Sequence, residues 1–188
     1  MTRVNKSYLF FIIFTIIFFV SNFLMVLIPN AYSMDIMLYN IIGQMLLFIP
    51  LILICLMAAK ESPKNILMIN KISFLDVILS ILLAIAIEPA MTLLSILSTL
   101  IFPNDISEYL YQAIDSPLIY SVLAVAVIPA IFEELFFRGI IFSQLKNLSL
   151  KKASIIAGLL FGLGHFNPQQ FLYAFAMGIL ACAVVYRT

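Results

Sequence analysis

The sequence predicts an all-α fold, a polytopic bundle of about six transmembrane helices. Of the 188 residues, 64% are hydrophobic and only 10% are charged, whereas a soluble domain averages about 45–50% apolar and about 25% charged residues. The apolar residues also fall in successive long runs rather than at isolated positions. The net charge of +1 gives no basic field for nucleic acid.

Runs long enough to cross a bilayer, which takes about 20 residues, follow one another along the chain. They cover residues 8–28, 36–59, 74–101, 119–145, 153–167 and 169–186. The first run exceeds the roughly 7–15 residues of a signal-peptide core, so we predict an uncleaved first span. We find no repeat and no soluble appendage, and therefore predict a single membrane domain over residues 1–188.

The basic residues support an even number of spans. Apart from Arg138, every lysine and arginine falls before span one, between spans two and three, between spans four and five, or after span six: Arg3, Lys6, Lys60, Lys64, Lys71, Lys146, Lys151, Lys152 and Arg187. The charged residues of the opposite loops are all acidic: Asp35, Asp105, Glu108 and Asp115. By the positive-inside rule, both termini are predicted to be cytoplasmic.

The loop after span three carries apolar residues at helical spacing: Ile106, Tyr109, Leu110, Ala113 and Ile114. This spacing is typical of a short helix lying in the membrane interface. An ordinary loop is the alternative, and the pattern does not decide between them.

Three charged residues interrupt span four, where each costs about 2.5–3.5 kcal/mol on insertion scales. Glu134 and Arg138 are four residues apart, so they share a helix face and are predicted to pair. Glu133 is rotated about 100° away on an α-helix and has no such partner. Pro129, one turn earlier, removes the helical hydrogen bond to the carbonyl of Val125.

The only histidine, His165, lies in span five. Counted from the lysines that flank their spans, Glu133 and His165 lie at similar depth, roughly 20 Å from the same boundary. Span five also carries Ser154, Gly158 and Gly162 at four-residue spacing, which lets a neighbouring helix approach closely.

A sheltered carboxylate facing an imidazole can activate water, with Glu133 as general base and His165 positioning the water or stabilising an oxyanion. The alternative is that these groups only hold the bundle together, as buried ion pairs can. Glu88, in span three, either lines the same cavity or merely accompanies Pro89, and the sequence leaves both open.

These residues resemble the motifs of the type II CAAX prenyl endopeptidase-like family, the CPBP or Abi intramembrane proteases. Its Glu-Glu-x-x-x-Arg motif is matched by Glu133, Glu134 and Arg138, and its Phe-x-x-x-His motif by Phe161 and His165. The resemblance covers residues 117–188, whereas residues 1–116 are similar only in being hydrophobic.

The resemblance implies peptide-bond hydrolysis within the membrane, with Glu133 and His165 as catalytic residues and Glu134, Arg138 and Phe161 in support. The family has been discussed as metal-dependent. If a divalent metal such as zinc binds, Glu133 and His165 are its candidate ligands, although a catalytic zinc usually has three protein ligands.

The family's third motif, a further histidine followed by Asn or Asp on a later helix, is absent from the sequence. The resemblance therefore implies either a fragment that lacks the C-terminal helix or a shortened member, and we expect residues 1–188 alone to be inactive.

The resemblance also suggests the substrate, which is expected to be a membrane-proximal peptide or lipoprotein-like protein. The Ile-, Phe-, Asn- and Lys-rich composition indicates an AT-rich genome, and the expected location is therefore a bacterial cytoplasmic membrane. The alternative functions are a non-catalytic membrane scaffold and bacteriocin self-immunity.

Overall fold

The computed structural model describes residues 2–29, 34–103, 107, 111 and 113–187, and within these residues every regular element is helical. The all-α prediction is thus confirmed. The helices are α1 (Arg3–Val26), α2 (Ile36–Ala59), the single turn α3 (Pro63–Ile66), α4 (Phe74–Thr99), α5 (Leu118–Gln144), α6 (Leu150–Gly164) and α7 (Pro168–Arg187). The proposed interfacial helix has Ile106, Tyr109 and Leu110 outside the described residues.

Five described helices are long and apolar enough to cross a membrane, namely α1, α2, α4, α5 and α7. The remaining predicted span, span five at 153–167, is helical as α6 and has only 15 residues, as many as the predicted run. At 1.5 Å per residue it is about 22 Å long, less than the roughly 30 Å of a hydrocarbon core. The protein is a polytopic helical membrane bundle in which α6 is the short member.

Helix α5 lies between the two halves of the bundle. It packs against α1 and α2 on one side and against α6 and α7 on the other. The main neighbour of α4 is α7, and only Ser98 of α4 is buried. The core of the bundle therefore forms around α5, which carries the charged motif.

Aromatic side chains fill the centre of this core. The ring of Phe14, on α1, lies 5.3 Å from that of Phe136 and 5.6 Å from that of Phe137, both within the motif on α5. On α2, Phe48 stacks on Phe132 at 5.6 Å. Such pairs contribute about 0.5–1.5 kcal/mol each beyond the area they bury. The first two helices thus hold the motif helix in place.

Glycines bring α6 and α7 into backbone contact. A Cβ atom added to Gly178 would lie 2.7 Å from the Cα of Gly158, and one added to Gly162 would lie 3.0 Å from the carbonyl oxygen of Phe171. Only glycine leaves room for this approach. The small-residue stripe predicted on α6 is therefore its contact with α7.

Helix α5 is not a regular α-helix. Residues Leu123–Val127 form π-helical turns, in which each N–H bonds to the carbonyl five residues earlier. In this register Pro129 would pair with Ala124, and because proline has no N–H, the Ala124 carbonyl instead accepts a 2.9 Å hydrogen bond from Nε2 of Gln44. The Ala124 carbonyl is thus the one whose side-chain partner is observed, and the release of the Val125 carbonyl by Pro129 stays a prediction.

The start of α1 and the end of α2 lie together. Arg3 forms an ion pair with Glu61 at 3.6 Å, and Lys6 Nζ donates to the carbonyl of Ala59 at 3.4 Å. These contacts place the first two basic clusters at one end of the bundle. Which side of the membrane that end faces remains a prediction.

Candidate functional site

Glu134 and Arg138 lie in a second π-helical segment, Glu134–Ile141, and Glu133 is the last residue of the α-helical stretch before it. A carboxylate oxygen of Glu134 lies 3.3 Å from Nη1 of Arg138, as the four-residue spacing predicted. The two side chains differ in exposure, with Arg138 at 5% and Glu134 at 50%. Wide helical turns are frequent at functional sites because they redirect side chains and backbone groups.

The guanidinium of Arg138 lies against the ring face of Phe161, with its central carbon 4.0 Å from the ring centroid. A cation in this position is attracted by the negative face of the ring, most strongly where water is excluded. Within the described residues Nε and Nη1 make no hydrogen bond, so the contact with Glu134 is an ion pair without hydrogen-bond geometry. Phe161 therefore connects α6 to the motif on α5.

His165 is fixed by the same phenylalanine. Its Nδ1 lies 2.8 Å from the carbonyl oxygen of Phe161, and the two rings meet edge to face at 4.7 Å. A carbonyl can only accept, so Nδ1 carries the proton. In the neutral imidazole Nε2 is then an acceptor and can accept a hydrogen bond from water.

The backbone at His165 differs from the sequence prediction, which placed the residue inside a span. Helix α6 ends at Gly164, and Phe166 adopts a left-handed conformation with φ 50°. Its ring stacks on Phe18 of α1 at 4.3 Å, which stabilises this unfavourable conformation. Asn167 then caps α7 by accepting a 2.9 Å hydrogen bond from the N–H of Gln169. His165 thus lies at a sharp turn between two antiparallel helices.

Glu133 is half-buried, and within the described residues its carboxylate makes no hydrogen bond or ion pair. It interacts electrostatically with Arg138 and Glu134, but Glu134 holds the arginine. Of the two motif acids, Glu133 is therefore the one free to contact another molecule. No direct hydrogen bond joins it to His165 in the described part of the chain.

Tyr173, on α7, is a further candidate that the sequence did not single out. It is half-buried, packs against the main core, and interacts electrostatically with Glu133. A hydroxyl in the second turn of α7, eight residues after His165, was the available signal, but its orientation depends on how α7 packs on α6.

Glu134 also borders a cavity of about 200 Å³ between α4 and α7, where Ile87, Met177 and Ala181 are among the lining residues. Glu88 is not among these residues. Its carboxylate is exposed and accepts a 2.7 Å hydrogen bond from Thr92 on the same helix. The observed contact of Glu88 is therefore within α4 and not with the residues of this cavity.

The described side chains do not fit a zinc site with three protein ligands. No group of three His, Cys, Asp or Glu side chains converges among the described residues, and such a site usually needs three. Both cysteines, Cys55 and Cys182, are buried and free. We therefore derive no step through a metal.

A charged cluster of Glu133, Glu134, Arg138 and His165 inside an apolar bundle defines a membrane protein with a polar site between its helices. The family model for type II CAAX prenyl endopeptidases, Rce1-like, matches residues 115–188. This segment contains α5, α6 and α7, and the resemblance inferred from the two motifs is confirmed over it. Over these residues the chain is therefore similar to CAAX protease-like enzymes. Comparisons with curated proteins and with solved structures found no match.

Proposed function

We propose that the protein is an intramembrane endopeptidase in which Glu133 and His165 activate a water molecule. The proposal rests on the different contacts that the two motif acids make. Glu134 pairs with Arg138 at 3.3 Å, which leaves the Glu133 carboxylate without a partner among the described residues. An unpaired carboxylate in a water-poor site is suited to act as a general base.

The proposed mechanism uses two acceptors on one water. Glu133 takes a proton from the water while Nε2 of His165 accepts a hydrogen bond from its second O–H. The water oxygen then attacks the carbonyl carbon of the scissile peptide bond. When the tetrahedral intermediate collapses, the C–N bond breaks and the proton passes from Glu133 to the leaving amine.

Arg138 and Phe161 are positioning residues in this proposal. The Phe161 carbonyl fixes the proton of His165 on Nδ1, and the ring holds the imidazole edge. Arg138, on α5, contacts the face of the same ring. Because both supports meet at Phe161, a change there is expected to move the imidazole relative to Glu133.

The family match favours a substrate that presents a peptide bond close to the membrane surface. We propose a lipid-modified C-terminal peptide or a lipoprotein-like protein as that substrate. Its apolar anchor would partition into the bilayer and bring the bond to the site. Neither a metal nor a partner protein is required by the steps above.

The test is a cleavage assay in proteoliposomes with a fluorogenic prenylated peptide and its unprenylated counterpart. The chain is assayed alone and fused to a transmembrane helix carrying His-x-x-x-Asn, because its sequence lacks that third motif. We expect His165→Ala to abolish cleavage in whichever form is active. If neither form cleaves either peptide, the non-catalytic scaffold becomes the better account.

A further inference from the structure

The proposed mechanism requires a hydrogen-bond donor for one charge. When water attacks, the carbonyl oxygen of the substrate becomes an oxyanion, and enzymes stabilise it with preorganised hydrogen-bond donors. His165 cannot serve in its neutral form, because its single proton is on Nδ1 and is bonded to the Phe161 carbonyl. Arg138 is only 4% exposed, and its guanidinium lies against the Phe161 ring, so little of it is accessible to a substrate.

The faces of α7 show which of its side chains enter the site. Gly178 lies against Gly158, so its face is the one that contacts α6. A different face carries Gln169, whose Nε2 donates to Ser95 of α4 at 3.1 Å, and Met177, which lines the cavity beside Glu134. These two residues are eight apart, two helical turns, and therefore share that face.

Tyr173 lies midway between Gln169 and Met177, four residues from each, and so belongs to the same face. This placement turns it towards the motif helix, and it does not itself line the cavity beside Glu134. Its electrostatic interaction with Glu133 agrees with that position. Its hydroxyl makes no hydrogen bond within the described part of the chain, and the side chain is half-buried, hence reachable.

We propose that Tyr173 is a further catalytic residue, whose hydroxyl donates the hydrogen bond that stabilises the oxyanion. The proposal rests on the function proposed above. The phenol keeps its proton throughout: the water proton goes to Glu133 and then to the leaving amine, while the O–H of Tyr173 bonds to the oxyanion and is released at collapse.

The kinetic test compares Tyr173→Phe with Tyr186→Phe, a matched control on the same helix whose side chain is 59% exposed. Loss of one oxyanion donor costs about 10²–10³-fold in kcat. We expect that loss for Tyr173→Phe with KM nearly unchanged, and wild-type kinetics for Tyr186→Phe. An unchanged melting temperature would show that the loss is not one of folding.

The outcomes separate this inference from the proposed function. If Glu133→Gln abolishes cleavage while Tyr173→Phe retains it, Tyr173 is not the donor and the water-activating site stands. The same conclusion follows if only the fusion with His-x-x-x-Asn cleaves and Tyr173→Phe does not affect it. If Glu133→Gln retains full activity, the proposed function itself fails.

A second measurement does not depend on turnover or on a stable phenylalanine variant. Fluorotyrosine incorporated at position 173 reports its surroundings through its ¹⁹F resonance. We expect the resonance to move in Glu133→Gln and to stay in place in the control Glu61→Gln, since Glu61 pairs with Arg3 at the far end of α2. A resonance whose chemical shift does not change in Glu133→Gln would place Tyr173 outside the site and overturn the inference.

Discussion

The carbonyl oxygen of Phe161 lies 2.8 Å from Nδ1 of His165, one helical turn later, and this contact fixes which imidazole nitrogen carries the proton. It makes the other nitrogen an acceptor in the neutral ring. The motif Phe-x-x-x-His thus combines a backbone acceptor, an aromatic ring that contacts the imidazole, and an imidazole of fixed orientation. The phenylalanine ring also receives Arg138 from α5.

The first prediction concerns this tautomer. The protein has one histidine, so ¹⁵N NMR of histidine-labelled protein reports on His165 alone. We expect a protonated Nδ1 and an unprotonated Nε2 at a pH where the ring is neutral. A proton on Nε2 instead would make His165 a donor and would remove the need for Tyr173.

The second prediction concerns the coupling between Arg138 and Phe161. Arg138→Met removes the cation but keeps an unbranched side chain that can lie on the ring. A double-mutant cycle with Phe161→Leu is expected to give a coupling free energy of about 0.5–2 kcal/mol, as for a partly to fully desolvated cation–π pair. Denaturant unfolding in mixed micelles measures it. A coupling indistinguishable from zero would mean that the two side chains do not support each other.

The third prediction concerns the contact between α6 and α7. In Gly178→Ala the new methyl would lie 2.7 Å from the Cα of Gly158, so the helices must separate. We expect a loss of about 1–3 kcal/mol in the free energy of unfolding, typical of overpacking.

Gly43→Ala is the matched control for this variant, because its nearest atoms belong to the flexible Met25 side chain at 3.8 Å or more. It is expected to be neutral or slightly stabilising. Equal stability of the two variants would show that α6 and α7 are not closely packed.

Much of the fold could be predicted because hydropathy and helix caps act locally. The run predicted at 36–59 matches α2 (Ile36–Ala59), whose start is fixed by Asp35 accepting from the N–H of Met37 and Leu38. The Glu134–Arg138 pair likewise follows from spacing within one helix.

The remaining features depend on contacts between helices. The π-helical turns of α5 are stabilised partly by Gln44, which is 80 residues away from Ala124 in sequence. The end of α6 before His165 depends on Phe166 stacking on Phe18 of α1. The place of Tyr173 depends on the register between α6 and α7, and no local pattern encodes it.

The fourth prediction concerns topology. Arg3 and Glu61 pair at one end of the bundle, and the positive-inside rule makes that end cytoplasmic. We expect cysteines introduced at Lys64 and Leu148 to be labelled from the cytoplasmic side and one at Asp35 from outside. The native cysteines are both buried and should contribute little background. Labelling of positions 64 and 35 from the same side would contradict the arrangement.

The central claim is that Glu133, and not Glu134, is the base that activates water. The most direct measurement is kcat/KM for Glu133→Gln and Glu134→Gln with the same peptide, in the form of the protein that cleaves it. Glu133→Gln keeps the shape but removes the base, and we expect a loss of about 10²–10⁴-fold. Glu134→Gln leaves Arg138 unpaired and is expected to lower stability more than the chemical step. Wild-type activity in Glu133→Gln, or loss of the chemical step confined to Glu134→Gln, would contradict the account.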